Sequence, residues 1–105
     1  MGTLFGMAGT FQSPRANLIE CDEGFSVEVL GRTGILYKEG DRTMDVVAEL
    51  LSPKSAHGIA VWKSSINKWR PPHDSENVDA ARRETILENI RRAIRFMGDD
   101  IDIIG

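Results

Sequence analysis

Little in this sequence is of the kind from which metal sites and covalent catalysts are built. One cysteine, Cys21, and two histidines, His57 and His73, occur in 105 residues. A single thiol excludes an intramolecular disulfide and fits a reducing cytosol, so the expected location is cytoplasmic. The histidines fall in separate loops, far along the chain from Cys21. A zinc site therefore lacks ligands, and no metal is expected. Cys21 lies on the apolar side of its strand and reads as a buried thiol, since a nucleophile needs an activating base. No apolar run approaches the roughly 20 residues that span a bilayer. The opening MGTLFGMAGTFQSPR lacks a basic n-region and is broken by Gly2, Gly6 and Gly9, a poor secretory signal. Gly6 also stands where myristoylation wants Ser or Thr. There is no GxGxxG or GxxxxGK[ST] phosphate loop, and no GxSxG elbow around Ser64 and Ser65, so neither a cofactor nor a catalytic residue is expected.

What is present is an ordinary soluble profile, 41% apolar and 28% charged, long enough for one domain with a modest core. The net charge is −3. Residues 16–49 carry eight acids against three bases, residues 50–73 four bases and no acid, and residues 74–105 eight acids and five arginines. This acidic balance argues against nucleic acid and suits a basic partner. A surface charge that serves only solubility is the competing reading.

The stretch ILYKEGDRTMDVVAELL, Ile35 to Leu51, reads as a β-hairpin turning at Gly40-Asp41. A Gly-first two-residue loop suits a type II′ turn, because Gly accepts positive φ. Glu39 then faces Arg42, Tyr37 faces Met44, and Ile35 faces Val46. Alternation gathers Ile35, Tyr37, Met44, Val46, Ala48 and Leu50 on one face, and Lys38, Thr43, Asp45 and Glu49 on the other. A one-residue slip would drive carboxylates into the core, so the register is well specified. Glu39 and Arg42 are expected to close the hairpin as an ion pair.

An earlier hairpin joins Asn17–Cys21 to Phe25–Leu30 through Asp22-Glu23-Gly24, a three-residue loop with Gly at its left-handed end. It pairs Cys21 with Phe25 and Ile19 with Val27. Residues 1–15 read as a loose arm with a short edge strand near Leu4 to Phe11. Pro53 and Gly58 mark a loop over Ser52 to Gly58. Ile59 to Lys63 is another strand, which Ser64 to Trp69 extends after a bulge. Pro71 and Pro72 make residues 70–76 an extended connector. Asp79 caps a helix from Ala80 to about Met97, with Ile86, Leu87, Ile90, Ala93, Ile94 and Met97 as its apolar stripe. Glu88 and Arg92 stand four apart as an exposed pair, Gly98 is the stop, and Ile101 to Ile104 is a last strand. The whole is an α+β, two-layer domain over residues 16–105: an antiparallel, meander-like sheet of about five strands with one long C-terminal helix on its apolar face.

Two features leave room for function. Asp45 and Glu49 share the polar face of one strand, with Lys63 on a later one; a small metal-dependent hydrolase could use them, but the spacing is loose and a solvated face explains it as well. Trp69 reads as the residue that pins the connector to the domain. Trp62 alternates against Ile59 and Val61, which places it on the outer sheet face, either packed or as an interface anchor. An exposed edge at Ile59 would also permit a weak homodimer.

Three segments in order, ILYKEGDRTMDVVAELL, VWKSSINKWRPPHD and VDAARRETILENIRRAIRFMG, together resemble the bacterial immunity proteins of polymorphic toxin systems, specifically the family immunity protein 74. Tyr37, Glu39, Gly40, Arg42, Glu49, Ser64-Ser65-Ile66, Trp69, Pro72 and Asn89-Ile90-Arg91 carry the likeness, which spans residues 18–104. It implies a non-enzymatic inhibitor that binds the C-terminal catalytic domain of a cognate toxin, contact-dependent or secreted, in the producing cell. Many such toxins are nucleases with basic clefts, which an acidic face would complement. The expected contacts are Glu39, Asp41, Arg42, Asp45 and Glu49, with Trp62 as anchor, in a 1:1 complex without nucleic acid or membrane.

Overall fold

The Gly40-Asp41 turn sets the register of the central hairpin. The computed structural model describes residues 10–31, 34–50 and 58–105. Gly40 has φ 62°, while Asp41 does not share a positive φ, as a type II′ turn requires. Strand β4 (Gly34–Glu39) pairs with β5 (Arg42–Leu50) as Glu39↔Arg42, Tyr37↔Met44 and Ile35↔Val46. Strands β2 (Leu18–Cys21) and β3 (Phe25–Val29) pair as Cys21↔Phe25 and Ile19↔Val27. Both expected registers hold.

The sheet has seven strands, in chain order β1 to β7, two more than expected. The first, β1 (Phe11–Arg15), pairs antiparallel with β2 through an irregular register. The expected edge strand from Leu4 lies, up to residue 9, outside the described residues, as do Arg32, Thr33, Leu51 and the loop Ser52 to His57. Strand β6 (Ile59–Trp62) pairs antiparallel with β5 and parallel with β7 (Ile101–Ile104). Ile59 is therefore in an interior strand, and the edge that the homodimer reading relied on is not there. Ser64 to Trp69 is not a strand extension: Lys63–Ser65 form a 3₁₀ turn. The segment beyond it still lines β5. Ser65 Oγ accepts from Val47 N (2.9 Å), and Arg70 N donates to Thr43 O (2.7 Å). These bonds occupy backbone groups of β5 that the short β6 leaves uncovered.

The helix α1 (Ala80–Phe96) begins where expected. Asp79 caps it by accepting from Arg82 N at 2.8 Å, and Gly98 follows it with φ 90°. Ile86, Leu87, Ile90, Ala93 and Ile94 are buried, whereas Met97, expected in the stripe, is exposed because the chain leaves the helix there. The helix packs chiefly over β2 and β3. On the β4 side the buried Trp69 stacks on Tyr37, and Ile66 and Val78 are buried in the same core cluster.

An aromatic row crosses this inner layer. Phe96 stacks on Phe11 (5.6 Å), Phe11 meets Phe25 edge-on (6.1 Å), Phe25 stacks on Tyr37 (6.0 Å), and Tyr37 stacks on Trp69 (6.3 Å). Rings at such spacings add about 0.5–1.5 kcal/mol per pair beyond the area they bury. The row ties helix end, sheet and connector together. Trp69 holds the connector to the domain, as expected.

Candidate functional site

The hairpin tip is held by charged and polar side chains from three segments. Tyr37 points inward with no exposed surface, so its hydroxyl must find partners inside. It donates to Glu39 Oε1 (2.6 Å) and accepts from Asn89 Nδ2 of the helix (2.9 Å). Burial, then the bond to Glu39, pushes this phenol well above its ordinary pKa. The other Glu39 oxygen takes Arg82 from the first helical turn. Arg82 in turn lies over the Trp69 ring, 5.8 Å from its centre. Arg42 makes a two-point contact with Glu76 of the connector (2.7 and 2.8 Å) and a longer one with Asp41 (3.3 Å). His73 Nε2 lies 3.6 Å from Asp41 Oδ2.

The expected Glu39–Arg42 pair is therefore replaced. The two residues are register partners, yet each takes a partner from beyond the hairpin. Both side chains emerge on the helix side of the sheet, where Arg82 and Glu76 approach with better geometry. Two-point guanidinium–carboxylate contacts of this kind are the stronger form of ion pair. Glu88 likewise meets Arg91, while Arg92 reaches back to Glu23 at 3.0 Å. The expected Glu88–Arg92 pair is replaced for the same reason.

The opposite sheet face carries Asp45 and Glu49. Asp45 is bound at both oxygens by Arg70 (2.7 and 2.5 Å). Its carboxylate is thus engaged by a guanidinium, which is not how a metal-activating acid is presented. Glu49 stands opposite Ala60 and has no ion pair among the described residues. Trp62 is half-buried and stands opposite Ile104 of β7. Among the described residues no group of three or more His, Cys, Asp or Glu could hold a metal, and no helix is long and apolar enough to cross a membrane.

The acidic segment is less acidic in space than along the chain. Of its eight acids, Glu23 meets Arg92, Glu28 meets Arg15, Glu39 meets Arg82, Asp41 meets Arg42, and Asp45 meets Arg70. Glu20, Asp22 and Glu49 form no ion pair among the described residues, although Glu20 is felt electrostatically by Arg15.

These pairs predict the acid limb of stability. The hydrogen bond from Arg70 holds Asp45 below the ordinary carboxylate pKa, Arg42 does so for Glu76, and Lys63 for Glu84. Folding thus depresses all three. Their contribution is complete above the unfolded values near pH 4 and is lost as pH falls through the folded ones. The melting temperature is expected to be flat from about pH 7 to about pH 5 and to fall below about pH 4. The Asp45→Asn/Glu76→Gln double variant should show a shallower fall, measured by thermal melts across that range. Exposure keeps each pair's contribution small.

The six sequence-derived residues thus form two groups. Glu39, Asp41 and Arg42 are together at the tip, whereas Asp45, Glu49 and Trp62 lie on the outer sheet face. The residues that hold the tip, Tyr37, Glu76, Arg82 and Asn89, have no local signature as partners. Glu76, Arg82 and Asn89 stand 34 to 52 residues from the groups they bind. Arg70 was legible only as the residue before Pro71.

Comparison with known proteins places the chain. The model of the family immunity protein 74 matches residues 26–104, three quarters of the sequence and all of the strands from β4 onward with the helix. No curated protein matches the chain, and no solved structure does. On that match the chain belongs to the immunity protein 74 family.

Proposed function

We propose that the protein is a binding module, without catalysis of its own, that neutralises a cognate toxin domain inside the cell that makes both. It does so as a 1:1 protein complex that needs no nucleic acid, membrane or cofactor. The observation that carries this reading is the family match over residues 26–104. The contact surface is the hairpin tip with the adjoining outer face. Asp41 and Asp45 keep 77% and 61% of their side-chain surface exposed, and Glu49 is exposed beside the half-buried Trp62. Glu39 and Arg42, already engaged within the chain, hold the tip in shape and edge the same surface. A toxin of the nuclease class needs a basic cleft for its substrate, and an acidic surface both steers toward such a cleft and occupies it.

The test pairs this protein with the catalytic domain encoded by the adjacent gene. Titration calorimetry should give a 1:1 complex, and co-expression should protect cells from the toxin domain. The Asp41→Lys/Asp45→Lys/Glu49→Lys variant should bind at least about tenfold more weakly, with most of the loss in association rate and with reduced sensitivity to salt. Unchanged affinity and protection in that variant would move the contact elsewhere, and no complex with the wild-type protein would end the proposal.

A further inference from the structure

Beside the tip, on the outer face, lies a cleft of about 480 Å³ to which Gln12, Glu20, Asp22, Ser26 and Lys38 contribute. Its position follows from register. Gln12, Glu20, Ser26, Lys38 and Thr43 form one cross-strand row from β1 to β5. The Gly24 and Gly40 turns sit side by side at its end, joined by Gly40 N donating to Gly24 O at 3.1 Å. Neither glycine places a side chain over the opening.

The charges in this cleft differ from those around it. Glu28, Glu39, Asp41 and Asp45 each meet an arginine of the same chain. Glu20 and Asp22 do not, among the described residues. Both are instead oriented by neutral donors: Gln12 Nε2 donates to Glu20 Oε1 (3.2 Å), and Thr10 N donates to Asp22 Oδ1 (2.8 Å). Each carboxylate is thus held at one oxygen, and its second oxygen accepts no hydrogen bond among the described residues. Anions oriented in advance cost little reorganisation on binding a cation. Arg15, which feels the charge of Glu20, makes its ion pair with Glu28 at 2.7 Å.

We infer that this cleft receives one basic side chain of the protein partner, an arginine or lysine, whose head group reaches Glu20 and Asp22. The inference rests on the toxin-binding reading and refines it, because it adds Glu20 and Asp22 to a contact surface otherwise placed at Asp41, Asp45 and Glu49. Lys38, on the same row, works against the incoming cation and tunes the site. A cation with a long apolar stem suits a cleft of this size better than a bare ion, for which two carboxylates are too few ligands.

The experiment measures affinity for the toxin domain with single variants at the half-buried Glu20 and the exposed Lys38. Glu20→Gln should weaken binding about tenfold, and Lys38→Gln should strengthen it several-fold, both with unchanged melting temperature. The opposite signs matter, since loss of a merely structural contact would not improve affinity in one of them. Scanning the toxin's arginines and lysines to alanine should then identify one whose loss is no longer felt in the Glu20→Gln background. Wild-type binding with no effect of either variant overturns the cleft assignment and leaves the toxin-binding reading intact. A change of mass from dimer to monomer in Glu20→Gln would instead make the occupant a second copy of this chain and overturn it as well. Failure of the wild-type protein to bind at all removes both.

Discussion

Replacing Trp69 by alanine is expected to destabilise the protein by about 3–5 kcal/mol, the usual range for truncating a buried large aromatic. Trp69 is only 3% exposed, and its ring is shared by two systems. One side stacks on Tyr37 at 6.3 Å, and Arg82 lies over the ring at 5.8 Å. The residue stands at the start of the connector, where Arg70 N holds Thr43 O and the Arg70 side chain holds Asp45. Loss of the ring removes the apolar seat under Arg82 and releases residues 70–78 from the sheet. Chemical denaturation should show the full loss in midpoint. Amide exchange should rise first at Arg70 and in the connector, before the β3–β4 ladder. Trp69→Phe keeps a stacked ring on Tyr37 and should lose less than half as much. Equal losses in the two variants would mean that the large ring is not what seats the connector.

The same residue separates what was legible from what was not. The turn chemistry of Gly40-Asp41 and the alternation of Ile35, Tyr37, Met44 and Val46 fix a register, because a slip of one residue inverts every side chain. The Asp22-Glu23-Gly24 loop does so for β2 and β3. Helical period and an Asp cap mark α1. These are local signals, and each gave the observed pairing. Strand β1 carries Ser13 and Pro14 and has no alternating apolar pattern, so nothing local marked Phe11–Arg15 as a strand. The parallel pairing of β7 with β6 spans the whole helix and has no turn to announce it. Ion pairing was the least legible. The charge of a segment does not name a partner, since Glu23 meets Arg92 across 69 positions and Glu39 meets Arg82 across 43. Long flexible side chains choose partners by position in space. A candidate site built from neighbours along one hairpin therefore mixed residues from two faces of the sheet.

Glu39 is where that mixing matters most, and Glu39→Ala is expected to cost about 2–3 kcal/mol, in the range for hydrogen bonds to a charged group left broken. Two groups lose their acceptor at once: the hydroxyl of a fully buried Tyr37 and the guanidinium of Arg82. The side chain keeps 27% of its surface, so water recovers part of the loss and holds it within that range although two bonds are broken. Tyr37→Phe removes the same hydroxyl from the other side and leaves Asn89 Nδ2 without its acceptor. The double variant should cost less than the sum of the singles, with a coupling of about 1 kcal/mol from melts or denaturant midpoints. Additive losses would show that the 2.6 Å bond contributes nothing. The pair also separates two roles that Glu39 could have in the proposed toxin complex. Tyr37 has no exposed surface, so a loss of affinity in Tyr37→Phe passes through the shape of the tip. If Tyr37→Phe and Glu39→Gln weaken the complex alike, Glu39 acts as a positioning residue for Asp41 and the turn. If Glu39→Gln alone weakens it, the carboxylate meets the toxin directly.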